Sequence, residues 1–458
     1  MVRFIDVSRL ACLLLFSGCC ELIAADNGEE IEIYLSTNAT STPIYLAEWT
    51  LSQEDVSREY QESLFAVLKN DFSRDGDSYL TPFSSDKEKE VREFIEHKIF
   101  DPKVWKGFGA TFVITGRIEG TFLTLSVFSL KEKTLKHLPS VKLSSKLAVD
   151  RRIIHQLVDK MHQLIYGREG VSNSRILYCL QLPAKTGEKK WISEVWECDL
   201  DGSNGRQVTR DHSYSVTPVL LTGSSFTSDK FLYVSYKKGQ PKIYLASLEE
   251  GVGKPLVSLR GNQLLPAVSR ARDKIAFICD CAGRTDLFVQ NIDPKTGRAE
   301  KPKQVYSYPR STQASPTFSP DGSKIAFVSD KDGGMKIYLI SLELPGLKRA
   351  NAKLLTKKNS ENSCPAWSPD GTKLAYSAKT KGVRQIWIYD FQTGEEWQLT
   401  GGSSHKENPV WAPDSLHLVF NSTGTAQSEL YVVSLHQKEV IQITRGPGEK
   451  NYPAWGMR

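Results

Sequence analysis

The feature that most restricts this chain is a block of 28 residues that returns along its second half. It reads LPAVSRARDKIAFICDCAGRTDLFVQNI from Leu265, SPTFSPDGSKIAFVSDKDGGMKIYLISL from Ser315, CPAWSPDGTKLAYSAKTKGVRQIWIYDF from Cys364 and NPVWAPDSLHLVFNSTGTAQSELYVVSL from Asn408. A fifth copy from Thr217, TPVLLTGSSFTSDKFLYVSYKKGQPKIYLASL, carries a four-residue insertion. Each copy is followed by a further short apolar stretch such as KPLVS, AKLLT, EWQLT or VIQIT. A supersecondary unit repeated in this way cannot bury its own apolar faces and needs its neighbours to do so.

Each unit therefore holds four strands. The second and third, as in KIAFVSD and KIYLISL, are apolar on both alternating faces, so the sheet must be covered on both sides. Sheets stacked face to face around an axis meet that demand, which predicts a β-propeller. The prolines Pro218, Pro266, Pro316, Pro365, Pro409 and Pro453 stand 48, 50, 49, 44 and 44 residues apart, which predicts six blades. The chain stops at NYPAWGMR, just past a sixth first strand, while RILYCL, EVWECDL and RQVT supply three unmatched strands from Arg175. The last strand is thus expected to pair into the first blade and close the ring, leaving no open sheet edge. Asp321 and Asp370, in the Pro-Asp-Gly turns of adjacent blades, read as turn formers rather than as a catalytic carboxylate pair.

Before Gly167 the repeat is absent and helix signals appear, so a mainly β fold is expected with a smaller α/β domain over residues 26–166 and the propeller over 167–458. Leu64, Val67 and Leu68 make an apolar stripe on one helix, and TFVITGRI with TFLTLSVFSL makes a hairpin. A long helix from Leu147 to Tyr166 turns Ile154, Leu157, Val158, Met161 and Ile165 inward and ends on Gly167. His155, Asp159 and His162 share one face of it at i, i+4 and i+7. The third lies almost two turns from the first, too far for one ion, so they read as polar helix surface and no metal or cofactor is expected.

Residues 1–25 place an apolar run, Leu10 to Phe16, after Arg3 and Arg9. That is a secretory signal, too short to span a bilayer. Cleavage after Ala25 competes with lipid attachment at Cys19; Phe16 stands where the lipoprotein signal has Leu, which favours the soluble periplasmic product without membrane insertion. Five cysteines would follow, Cys179, Cys198, Cys279, Cys281 and Cys364, an odd number that leaves a thiol unpaired. The net charge of +6 is spread along the sequence, its densest basic run, Lys131 to Lys146, being broken by apolar and hydroxyl residues. It reads as solvated surface, with no nucleic-acid role.

The loops entering each innermost strand crowd around one mouth of a propeller channel. Here they are Asn262 to Leu265, Gln313 to Ser315, Glu361 to Cys364 and Lys406 to Asn408, which differ between blades while the strands repeat, as expected where function rather than packing sets the residues. Asn262, Gln263, Leu265, Gln313, Ala314 and Ser315 are the candidate partner-binding residues.

The stretch LAVDRRIIHQLVDKMHQLIYGREGVSNSRILYC, with its Arg151-Arg152, His155, Asp159, Tyr166-Gly167 and Gly170, together with the SPDG blades and the terminal YPAW, resembles the TolB family over nearly all of the exported chain. The resemblance implies a two-layer α/β domain before a six-bladed propeller, and a periplasmic protein that is not an enzyme. It implies a scaffold that binds the peptidoglycan-associated lipoprotein Pal over the channel mouth and links it to inner-membrane Tol proteins in outer-membrane integrity and division. TolA is a second partner on this reading, weakened because only DNGEE, Asp26 to Glu30, precedes the first strand. Two other classes use such propellers. Peptidases of the prolyl oligopeptidase type need a Gly-x-Ser-x-Gly elbow, which this sequence lacks; a propeller lectin or small-ligand module needs only aromatics at the channel mouth and is the alternative.

Overall fold

A computed structural model describes residues 31–36, 41–52, 56–97, 105, 107–184, 190–221, 229–293, 299–343, 352–424 and 427–458, and residues 31–458 belong to one compact body. The expected signal with Cys19, Asp26 to Glu30, and residues 222–228 of the fifth copy lie outside the described residues. Among the described residues no helix is long and apolar enough to cross a membrane.

The N-terminal part is a seven-stranded mixed sheet. Thr42–Leu46 runs parallel to Ser78–Leu80 on one side and to Phe112–Glu119 on the other, and the expected hairpin joins Phe112–Glu119 to Phe122–Ser129. Helix α1, Arg58–Arg74, starts at Ser57, whose Oγ accepts from the Tyr60 amide at 3.3 Å. It packs Leu64, Val67, Leu68 and Phe72 against Ile44, Ile114 and Leu125 of the sheet. Helix α2, Ser85–His97, packs Val91 instead with Tyr45, Val113 and Phe128. Ile44 and Tyr45, like Val113 and Ile114, point to opposite faces because side chains alternate along a strand. The helices therefore cover both faces, one layer more than the resemblance implied. Helix α3, Leu147–Tyr166, packs Ile154, Leu157, Val158 and Met161 beside α1 and ends on Gly167 at φ 73°. The left-handed conformation there suits a residue without Cβ, and its N–H closes on the Gln163 carbonyl at 3.0 Å.

Six four-stranded antiparallel sheets follow. Their second strands are buried on both faces, as in Lys324–Ser329, and neighbouring sheets share one core: Ile278 and Leu287 of one blade meet Phe318, Phe327 and Tyr338 of the next. The last strand, Glu449–Met457, takes the innermost place of the first blade against Ser174–Pro183, with Trp455 opposite Ile176. A threonine recurs at the end of several fourth strands, and its hydroxyl accepts an amide of the third strand: Val195 to Thr209 at 2.8 Å, Ile337 to Thr356 at 3.1 Å, Ile386 to Thr400 at 2.8 Å and Leu430 to Thr444 at 2.9 Å. Asp321 and Asp370 are turn residues: each Oδ1 accepts an amide two residues on, from Ser323 and Thr372, at 3.0 Å. In Ser269-Arg270-Ala271-Arg272 the Pro-Asp-Gly turn is lost, yet Ser269 Oγ bonds Asp273 at 2.7 Å and both flanking strands persist.

The polar face of α3 is not solvent surface. His155, Asp159 and His162 are all buried, because this face meets the propeller. His155 sits between Asp71 of α1, 2.6 Å from Nδ1, and Asp201 of the first blade, 3.4 Å from Nε2. Arg151 pairs with Asp201, and Arg152 with Asp199 at 3.1 Å. Asp159 accepts the amides of Ser172 and Asn173 at 2.7 and 2.9 Å, and a Cβ on Gly170 would come within 2.5 Å of its Oδ1. His162 Nε2 lies 3.2 Å from Asp77. On the propeller side His417 bridges Asp414, at 2.6 Å, and the Arg74 carbonyl, at 3.1 Å.

Candidate partner-docking face

Each innermost strand breaks its register once. The slips fall between Val216 and Val219, Leu264 and Ala267, Ala314 and Thr317, Ser363 and Ala366, Glu407 and Val410, and Asn451 and Ala454. Two residues are left without partners in each, the second always the anchoring proline, which has no N–H to contribute to a ladder. The first is left-handed in every blade: Thr217 at φ 49°, Leu265 at 52°, Ser315 at 45°, Cys364 at 50°, Asn408 at 53° and Tyr452 at 54°. These six bulges line the channel on the propeller axis, a cavity of about 300 Å³.

The channel wall is mostly proline and aliphatic, with one hydrogen-bonded polar arc. Cys364 Sγ donates to Asn408 Oδ1 at 3.1 Å, and Asn408 Nδ2 donates to Asn421 Oδ1 at 2.8 Å. Burial pushes the Cys364 thiol up to about 11, so it stays protonated and is a poor nucleophile at neutral pH. Glu407, one residue before Asn408, is buried and its carboxyl is pushed upward by burial, with Arg384 Nε 3.2 Å away opposing the shift. The channel tryptophans are committed to the fold: Trp367 Nε1 donates to the Gly371 carbonyl at 3.3 Å and Trp411 Nε1 to the Ala366 carbonyl at 3.0 Å. Trp367 also stacks on Phe391 with centroids 4.6 Å apart.

A family model described as the TolB beta propeller domain matches residues 162–458. The chain belongs to the TolB family. It is 45% identical over 377 residues to a TolB homolog of Protochlamydia amoebophila, covering 82% of this chain and 80% of that one. A TolB homolog of Chlamydia trachomatis serovar L2 is 36% identical over 401 residues, covering 86% and 83%. The crystal structure of TolB from Acinetobacter baumannii, 21% identical, superposes with a TM-score of 0.71 over 94% of this chain and all of that one, and so shares its fold.

Within this TolB fold the six candidate residues separate into two groups. Leu265 and Ser315 line the channel. Gln263 is fully buried: its Oε1 accepts the Ile243 amide at 3.1 Å and its Nε2 donates to the Val257 and Leu259 carbonyls at 3.1 and 2.8 Å. Gln313 is buried likewise, bonding Ser311 Oγ at 3.1 Å, and Ala314 is buried beside it. Asn262 is half-buried and donates through Nδ2 to Asp280 at 2.8 Å. The bulge separates the groups: strict alternation would put Gln263 with Leu265, and Gln313 with Ser315, on one face, but the left-handed residue turns to the axis while the glutamine stays in the blade seam. The left-handed ring itself had one sequence signal, the residue before each anchoring proline.

Proposed function

We propose that this TolB-family protein is a non-enzymatic periplasmic scaffold of the Tol-Pal system, exported on residues 1–25, that seats Pal over the propeller mouth and connects it to inner-membrane Tol proteins. TolA is the second partner on this reading. The observation that carries it is the channel mouth, where repeating strands hold loops that repeat in neither size nor charge. The TolB-named relatives support a scaffold rather than a catalyst. A sugar-binding reading would need free aromatic platforms at the mouth, and Trp411 is buried while one face of Trp367 is covered by Phe391.

Leu265 and Ser315 are the positions where bulk should matter. Each already holds a side chain at positive φ, so the backbone there accepts an L-residue. Leu265→Trp or Ser315→Trp is expected to weaken Pal binding at least about tenfold, or about 1.4 kcal/mol, with the melting temperature unchanged. Titration calorimetry with purified Pal decides this, and equal affinity for both variants and the wild type would move the interface away from the mouth.

A further inference from the structure

The chain's charges are sorted by the fold. In an antiparallel blade the loop entering the first strand and the turn between the second and third strands lie at one end of the propeller, and the other two turns lie at the opposite end. The second end meets the α/β domain through Asp201 and His417, so the first is turned away from it. Lys190, Lys238, Arg260, Arg310 and Lys381 stand in the loops and turns of that free end, and all are exposed. Among the described residues of the same loops and turns, Asp332 is the one exposed carboxylate, and Lys331 Nζ holds it at 2.7 Å. Less exposed carboxylates there are tied up too: Asp211 pairs with Lys237 at 3.0 Å, and Glu361 with Lys379 at 3.1 Å.

The opposite end reverses the sign. Its turns expose Asp229, Glu249, Glu250, Asp321, Asp370 and Glu395. That end is also where the molecule shows how it uses charge, for Arg151 and Arg152 of α3 dock on Asp201 and Asp199. At the basic end Lys238, Arg260, Arg310 and Lys381 form no ion pair among the described residues. Its cations ring the axis, while the apolar, proline-lined channel runs from the bulges toward Pro369 in a turn of the opposite end. A ring of cations at one end of a propeller matches an acidic protein surface laid across the axis.

We propose that the free end of the propeller docks a protein whose contacting surface is acidic, the charge match steering and orienting it over the channel. This rests on the scaffold reading above and specifies the chemistry of the Pal surface involved. The test compares the wild type, a basic-end variant combining Lys238→Glu, Arg260→Glu and Arg310→Glu, and a control combining Lys230→Glu, Lys301→Glu and Lys438→Glu. Each is titrated with purified Pal between about 50 and about 500 mM NaCl, a range over which surface charges go from weakly to strongly screened. Thermal melts confirm that all three are folded. The expected result is a wild-type affinity that falls at least about tenfold across the salt series, a loss at least as large at low salt in the basic-end variant, and a control like the wild type. Pal that binds all three equally and without salt dependence overturns the charge match but leaves the scaffold reading standing. Pal that does not bind the wild type at all removes both. Phosphatidylglycerol vesicles that capture the wild type and not the basic-end variant, with Pal binding the two equally, assign the face to a membrane and overturn the protein partner.

Discussion

His155 joins α1 to the first blade through two carboxylates, Asp71 and Asp201. Burial alone would lower its pKa, but the Asp201 and Asp71 carboxylates on either side outweigh that and raise it to about 10. The imidazolium therefore persists through neutral pH, clamped between α1 and the first blade. Because the folded value lies above that of the unfolded chain, its contribution is complete below about pH 6.5 and fades as pH rises toward 10. His155→Gln removes a buried partner from two carboxylates and is expected to cost about 3 to 5 kcal/mol near neutral pH. The gap between variant and wild type should narrow at about pH 10, and urea unfolding at both pH values checks it. A gap that stays constant would mean that His155 is neutral in the folded protein. The sequence displayed the periodicity of His155, Asp159 and His162 but not their burial. A polar helix face reads as solvent-facing unless something covers it, and what covers this one is a blade whose acids lie 40 or more residues away, at Asp199 and Asp201.

The blades were legible as elements because their period-two pattern fails in an informative way: apolar residues on both faces of KIAFVSD leave no side for water. The bulges were not. Thr217, Leu265, Ser315, Cys364, Asn408 and Tyr452 share no chemistry that favours a positive φ, and the residue before a proline is ordinarily pushed toward extended backbone. The ring geometry imposes the conformation, and the prolines mark where it occurs. Thr217 is the worst fitted of the six, since a β-branched residue is strongly disfavoured at positive φ. Its Oγ1 is moreover buried without a hydrogen-bond partner. Thr217→Asn, a residue that tolerates the left-handed region, should stabilise the protein by about 0.5 to 1 kcal/mol. Denaturant unfolding with an unchanged m-value is the expected signature, and a loss of stability would show that the Thr217 methyl packs too well to give up.

At the scale of the molecule, ring closure was readable because six prolines with one incomplete unit at each end of the repeats leave one way to pair the last strand. The sorting of charge was not readable. Successive loops alternate between the two ends of the propeller, so basic and acidic segments interleave every 10 to 20 residues and look evenly mixed until the strands are folded back on one another. Closure makes the final strand a test of the whole architecture. Glu449–Met457 pairs along the length of Ser174–Pro183. Trp455, 6% exposed, joins Ile176, Val419 and Leu430 in the seam between the first and sixth blades. Arg458 reaches Asp199 at 2.5 Å, the same carboxylate that holds Arg152 of α3. Deleting Asn451 to Arg458 thus strips a large aromatic from one seam, exposes the edge of the first blade and takes one of two cations from an acid at the domain junction. The Trp alone is worth roughly 3 to 5 kcal/mol, and the bare strand edge invites pairing between molecules. The truncated protein should melt well below the full chain and self-associate in sedimentation experiments. A monomer that melts with the full-length protein would mean that the other five blades hold the ring shut without its last strand.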